Sequence, residues 1–175
     1  MSDFVSITID DSQLQNTLRH LERAGGDLTP AMRKISQALL KVTEDNLAAE
    51  GRPKWQPLAE STRHARLGGR KAYKKNGELT AAAQRRKEAG FRILQHSGQL
   101  ASSVTTDYDS TQAVTGSNKV YAAIHQFGGE AGRSQSVKIP ARPYLPVTAD
   151  RKLQPEARAE VLETTLRHLQ TAAGL

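Results

Sequence analysis

Thr29-Pro30-Ala31-Met32-Arg33-Lys34-Ile35-Ser36-Gln37-Ala38-Leu39-Leu40-Lys41-Val42-Thr43-Glu44-Asp45-Asn46-Leu47 is the stretch on which the reading of the fold turns. Met32, Ile35, Leu39, Val42 and Asn46 recur every three to four residues, with Leu40 and Leu47 on the flank. That spacing puts one apolar face along a long helix. Thr29 suits the N-cap and Pro30 the first helical position, where a missing N–H costs nothing. The helix is expected to run to about Glu50 and to stop at Gly51-Arg52-Pro53.

Upstream, Asp10, Asp11 and Ser12 are helix-starting residues, and Leu14, Leu18 and Leu21 follow at helical spacing until Gly25-Gly26. Before them, Val5-Ser6-Ile7-Thr8-Ile9 alternates and is rich in β-branched residues, the pattern of a strand. Downstream, Val104 to Tyr108 and Gln112 to Thr115 flank Asp109-Ser110 and read as a hairpin. Lys119 to Phe127 reads as a short helix with Val120, Ile124 and Phe127 on one face, closed by Gly128-Gly129. Val137-Lys138-Ile139 reads as a short strand. Pro140 and Pro143 hold the next residues extended. A last helix is expected from about Pro155 to Ala172, with Val161, Leu162, Leu166 and Leu169 facing inward. The fold class is α+β: a small, mostly antiparallel sheet packed by two long N-terminal helices and a C-terminal helix. One domain spans 1–175, with a basic insertion at about 52–92.

The chain has 175 residues, of which 37% are hydrophobic and 5% aromatic, which suggests a modest core and much partner-facing surface. It contains no cysteine, so disulfides, thiolate chemistry and cysteine-based zinc sites are excluded. No apolar run is long enough to span a membrane. Met1-Ser2-Asp3-Phe4 lacks the basic-then-apolar order of a secretory signal, so synthesis and use in the cytoplasm are expected. The net charge of +7 is unevenly placed: the window 51–96 holds 12 Lys/Arg against 3 Asp/Glu, so the rest of the chain nets −2. Arg70, Lys71, Lys74, Lys75, Arg85, Arg86 and Lys87 carry much of that excess. Such a segment attracts phosphate backbones or an acidic partner surface, and it also fits a solvated flexible loop. Loops with short helices are expected there, Leu79 to Glu88 among them.

No enzyme motif is present: no Gly-x-Ser-x-Gly elbow, no Gly-x-x-x-x-Gly-Lys loop, no His-Glu-x-x-His. Helix capping and turn formation account for Asp10-Asp11 and for Asp107 with Asp109. His125 invites a reading as base or metal ligand but lacks companions, so a histidine hydrogen-bonded within the fold is the plainer expectation. Trp55, the only tryptophan, is expected to anchor its loop to the core. Arg142, between two prolines, can pair with a carboxylate inside the chain or on a neighbouring subunit. Only Tyr73 and Phe91 interleave with the basic clusters, too thin a set for base stacking, so nucleic-acid contact there would be non-specific.

Four phrases stand in order along the chain: Trp55-Gln56-Pro57-Leu58; Leu94-Gln95-His96-Ser97-Gly98-Gln99-Leu100 with Ser103; Tyr121-Ala122-Ala123-Ile124-His125-Gln126-Phe127-Gly128-Gly129; and Ile139-Pro140-Ala141-Arg142-Pro143-Tyr144-Leu145. Together they resemble the phage virion morphogenesis family of Mu-like and related tailed phages. The resemblance implies a non-enzymatic part of the virion neck or tail that completes or terminates the tail and joins it to the head, with no cofactor and no metal. It implies self-assembly into a ring, often six-fold, around the DNA channel. Partners would be tail-tube and neck or connector proteins, with DNA touched only non-specifically. Trp55, Pro57, Leu58, Ser97, Gly98, Leu100, Tyr121, His125, Gln126, Phe127, Gly128, Gly129, Pro140, Arg142 and Pro143 would serve structure or subunit contacts. Pro146 departs from the pattern, since many members carry glycine there. The alternative from another class is a non-specific nucleic-acid-binding protein acting through the 52–92 segment.

Overall fold

The computed structural model describes residues 12–174, so the strand expected at Val5–Ile9 and the residues Asp10 and Asp11 lie outside the described residues. Helix α1 spans Ser12–Gly26 and α2 spans Thr29–Ala48. The cap of α2 lies one residue earlier than Thr29: Leu28 takes that position, and the Asp27 carboxylate accepts the Thr29 N–H at 2.9 Å. Thr29 is therefore the first helical residue, and its free N–H is met by a side chain two positions back. Ile35, Val42, Asn46 and Leu47 are buried on the inward face of α2. Ser36 and Thr43 are also buried there, their hydroxyls donating to the Arg33 and Leu39 carbonyls of the same helix.

The basic segment is mostly helical. Helix α3 (Glu60–Leu67) and helix α4 (Ala81–Ala89) pack on each other, with Thr80 as the N-cap of α4 and a single bridge pairing Tyr73 with Leu79. Ala72, in the turn after α3, and Ala83, on α4, are fully buried.

Strands β1 (Val104–Tyr108) and β2 (Ala113–Ser117) form the expected antiparallel hairpin, lying against α2. Asp109 makes its turn: one carboxylate oxygen accepts from both the N–H and the hydroxyl of Thr111 and from the N–H of Gln112, and these bonds hold its pKa down to about 2. Helix α5 spans only Ala122–Phe127. Val120 lies outside it and is fully exposed. Phe127 is exposed too and sits beneath the Arg151 guanidinium, 5.4 Å from its centroid, so the apolar face expected for Val120, Ile124 and Phe127 is not buried as a unit. Strands β3 (Gly129–Ala131) and β4 (Val137–Ile139) form a second antiparallel pair, separate from the first. Among the described residues the expected single sheet is thus two two-stranded sheets, and the class remains α+β.

Helix α6 spans Pro155–Ala173 and packs against α1 and α2. Its inward face is not the expected one. Ala157 is buried and Val161, Thr164, Thr165 and His168 are partly buried. Leu162, Leu166 and Leu169 are 59%, 56% and 39% exposed. Small and β-branched residues let α6 approach its neighbours closely, and the leucines, at i, i+4 and i+7, form a ridge on the outer side.

Candidate functional site

The four phrases converge. A cleft of about 1210 Å³ is walled by Gln56–Ala59, by Ile93–Leu100, by Tyr121 and His125, and by Val137–Arg142. Each wall is built by a different device, and the devices begin at the end of α2.

Glu50 and Gly51 turn the chain out of α2 through positive φ angles of 54° and 97°. Gly51 cannot be replaced, because a Cβ there would stand 2.4 Å from Cδ1 of the Trp55 ring. Trp55 is buried with Leu47, Ile93, Leu100, Ala122 and Tyr144, and its indole N–H donates to the Pro143 carbonyl at 3.1 Å. It is the anchor expected for a lone tryptophan. Leu58 packs against the same cluster, while Pro57 is exposed at the cleft lip. The second wall is tied to the same helix end: Gln95 donates to the Leu47 carbonyl at 2.6 Å, and the Ile93 N–H donates to the Glu50 carboxylate at 2.7 Å. Gly98 has a φ of 71°, which turns Ser97–Leu100 so that Leu100 enters the core. The Ser103 hydroxyl then bonds Ser117 at 2.6 Å across the base of the hairpin.

The fourth wall is the extended segment Pro140–Pro146. It pairs with no strand among the described residues, so its backbone groups need other partners. Two buried side-chain amides supply them. Gln126 accepts the N–H groups of Tyr144 and Leu145 through Oε1, each at 3.0 Å, and donates to the Val147 carbonyl at 2.7 Å. Asn46 donates through Nδ2 to the Tyr144 and Leu145 carbonyls at 3.2 and 3.3 Å and to Gln154 at 2.8 Å. Its Oδ1 accepts from Arg52. Gln126 and Asn46 thus hold Tyr144–Leu145 from both sides as neighbouring strands would. The sequence signal for Asn46 was a polar residue on an otherwise apolar helix face; the sequence reading placed it on that face and assigned it no role.

Arg142 is buried and has no carboxylate partner. Its Nη2 donates to the Gln56 and Pro57 carbonyls at 3.2 and 3.3 Å, so among the described residues two backbone carbonyls of the first phrase stand where an intrachain carboxylate was one of the two expectations. Its N–H donates to the His125 carbonyl at 2.7 Å. The Arg142 Nε and the His125 Nδ1 are buried without a partner among the described residues, so the hydrogen bond expected to hold His125 within the fold is not found there. Tyr121 meets the His125 ring edge-on at 5.9 Å. Gly128, with φ of 74°, ends α5 where Ala141 crosses; a Cβ there would lie 2.8 Å from the Ala141 nitrogen. No group of His, Cys, Asp and Glu able to hold a metal exists among the described residues.

Desolvation, helped by the nearby Arg142 charge, lowers the His125 pKa below its ordinary value. The folded state therefore favours the neutral ring. Its contribution to stability is full above about pH 6.5, the unfolded value, and is lost as pH falls from there through the folded pKa. His125→Gln, which cannot charge, is expected to flatten this part of the profile. Melting temperatures taken on either side of about pH 6.5 check it: equal drops in wild type and variant would remove His125 from the acid response.

Arg70, Lys71, Lys74, Lys75, Arg85, Arg86 and Lys87 stand apart from the cleft, at 70–75 and on α4, whereas Arg66 of α3 lines it. Arg86 donates to the Leu67 carbonyl at 2.9 Å and Lys74 pairs with Glu78 at 3.1 Å. Arg70, Lys71, Lys75, Arg85 and Lys87 are exposed and make no ion pair among the described residues.

The family model described as the phage virion morphogenesis family matches residues 9–170. "Mu-like prophage FluMu G protein 2" of Haemophilus influenzae is 30% identical over 167 residues, covering 95% of this chain and 96% of that protein. "Putative capsid assembly protein G" of Escherichia phage Mu is 47% identical over 64 residues, 34% of this chain and 41% of that protein. No solved structure matches. The chain belongs to the phage virion morphogenesis family, which gives it a structural or assembly role in a phage particle.

Proposed function

We propose that this protein is a non-enzymatic neck component that assembles into a ring, completes the tail and joins it to the head. The observation that carries the reading is the outer ridge of α6. Leu162, Leu166 and Leu169 line up along one side of a helix whose other side is already packed. A row of exposed leucines on a helix marks a protein contact. The occupant in this reading is a second copy of the chain, in a heterologous contact that repeats until the ring closes. Six-fold closure would match a tail tube, whose protein is the neighbour on one side, with a connector on the other. The virion is then the site of action.

Light scattering with negative-stain imaging tests this on the purified chain, with and without tail-tube protein. Wild type is expected to form rings, alone or on tube ends. Leu162→Glu with Leu166→Glu is expected to remain monomeric while keeping its helical circular dichroism, since both side chains lie outside the core. Wild type that stays monomeric with tubes present, or a variant that still forms rings, would overturn the reading.

The free cations at 70–75 and on α4 support the DNA-channel part of the same proposal, and they equally support the alternative of a free nucleic-acid binder. Lys71→Glu, Arg85→Glu and Lys87→Glu together spare Arg86, which holds the Leu67 carbonyl. A channel-lining role predicts intact rings and impaired particle yield. A free binder predicts salt-dependent DNA binding by the monomer, lost in the variant.

A further inference from the structure

The cleft where the four phrases meet has three properties that together specify an occupant. The first is charge. Arg66, Lys138 and Arg142 border it, with His96 and His125, and no Asp or Glu lines it among the described residues. A wall with cations and no carboxylate draws acidic groups. The second is an apolar lining. Leu58, Ile93, Leu100 and Ile139 face the space, and at the rim Val137 is 51% exposed. The third is an open strand edge. Among the described residues β4 pairs with β3 alone, which leaves the N–H and C=O groups of its other edge without a strand partner there. Consecutive residues from Val137 to Ile139, whose side chains alternate between faces, all border the cleft, which sets the strand edge-on to it.

We propose that this cleft is a docking site for an extended, acidic and apolar polypeptide segment of a partner protein. The segment adds as a strand along β4, its carboxylates meet Lys138 and Arg66, and alternate apolar side chains enter the lining. Strand addition supplies affinity from the backbone, and the charges set which segments are accepted. A nucleic-acid strand fits less well: the lining offers one exposed tyrosine, phenylalanine or tryptophan ring, Tyr121, for stacking, and the exposed cations Arg70, Lys71, Lys75, Arg85 and Lys87 lie outside the cleft. The proposal stands on the cleft alone and does not depend on ring formation, since the α6 leucines are not part of its lining.

The test is a selection of random decapeptides displayed on a carrier against the purified full chain, followed by affinity measurement on the enriched peptides as free synthetic probes. Enriched sequences are expected to carry at least two Asp or Glu and apolar residues at alternate positions. Lys138→Glu lies on an exposed side chain and leaves the core untouched. It is expected to weaken those peptides at least tenfold and to accept versions with Lys in place of Asp or Glu. Arg66→Glu also removes a bond to the Arg92 carbonyl, so its melting temperature is measured alongside. Absence of enrichment, enrichment without acidic residues, or affinity unchanged by Lys138→Glu would each overturn the proposal. So would displacement of the peptides by a single-stranded oligonucleotide that binds more tightly and is equally sensitive to Lys138→Glu.

Discussion

Gln126→Leu is expected to lower folding stability by about 3–5 kcal/mol, at one to a few kcal/mol for each buried polar group left unpaired. The substitution keeps the volume but strands three of them: the Tyr144 and Leu145 N–H groups and the Val147 carbonyl. Gln126 is 1% exposed, so water cannot take over without opening the fold. Against a total stability on the order of 5–15 kcal/mol, that loss approaches unfolding. Urea denaturation measures it, with exposed Gln84→Leu as the comparison, expected within about 0.5 kcal/mol of wild type. A cost below about 1 kcal/mol for Gln126→Leu would mean that the Tyr144–Leu145 segment is not held by this amide.

Trp55→Ala is expected to cost about 3–5 kcal/mol, the range for emptying a large aromatic from a packed core. The void would open among Leu47, Ile93, Leu100, Ala122 and Tyr144, the centre of the main cluster. The Pro143 carbonyl would also lose its donor. Trp55→Phe separates the two contributions: it keeps most of the packing and deletes only the indole N–H, so a loss nearer 1 kcal/mol is expected. Equal losses for Ala and Phe would show that the hydrogen bond, and not the packing, carries the anchor. Trp55 and Gln126 hold the same extended segment from two sides, so the double variant Trp55→Phe with Gln126→Leu is expected to be non-additive.

Both predictions concern residues of the recognisable phrases, yet the sequence disclosed their roles unequally. A lone tryptophan after a helix has one common use, and Trp55 has it. Gln126 carried no such sign. A glutamine in a short helix is ordinary, and its importance comes from a segment 18 residues away that has no sheet to join. Arg142 shows the same limit. Its position between prolines indicated a rigidly held guanidinium, but the partner proved to be backbone carbonyls 85 and 86 residues earlier.

Local chemistry in the sequence determined the long helices, the Asp109 hairpin, the Gly128 chain reversal, the β-strand at Val137–Ile139 and the charge excess of 52–92. Each depends on neighbours a few residues apart: side-chain periodicity, capping, proline and glycine geometry. The tertiary structure alone decided which side of α6 faces inward. By hydrophobicity, Leu162, Leu166 and Leu169 should be buried. Close packing against α1 and α2 instead selected Ala157, Val161 and Thr164, whose smaller side chains allow the helices to approach, and left the leucines outside for another contact. It alone also gathered four separated phrases around one cleft. The groups that hold them there, Asn46 and Gln126 against an unpaired stretch of backbone, satisfy hydrogen bonds that exist only once distant parts of the chain have met.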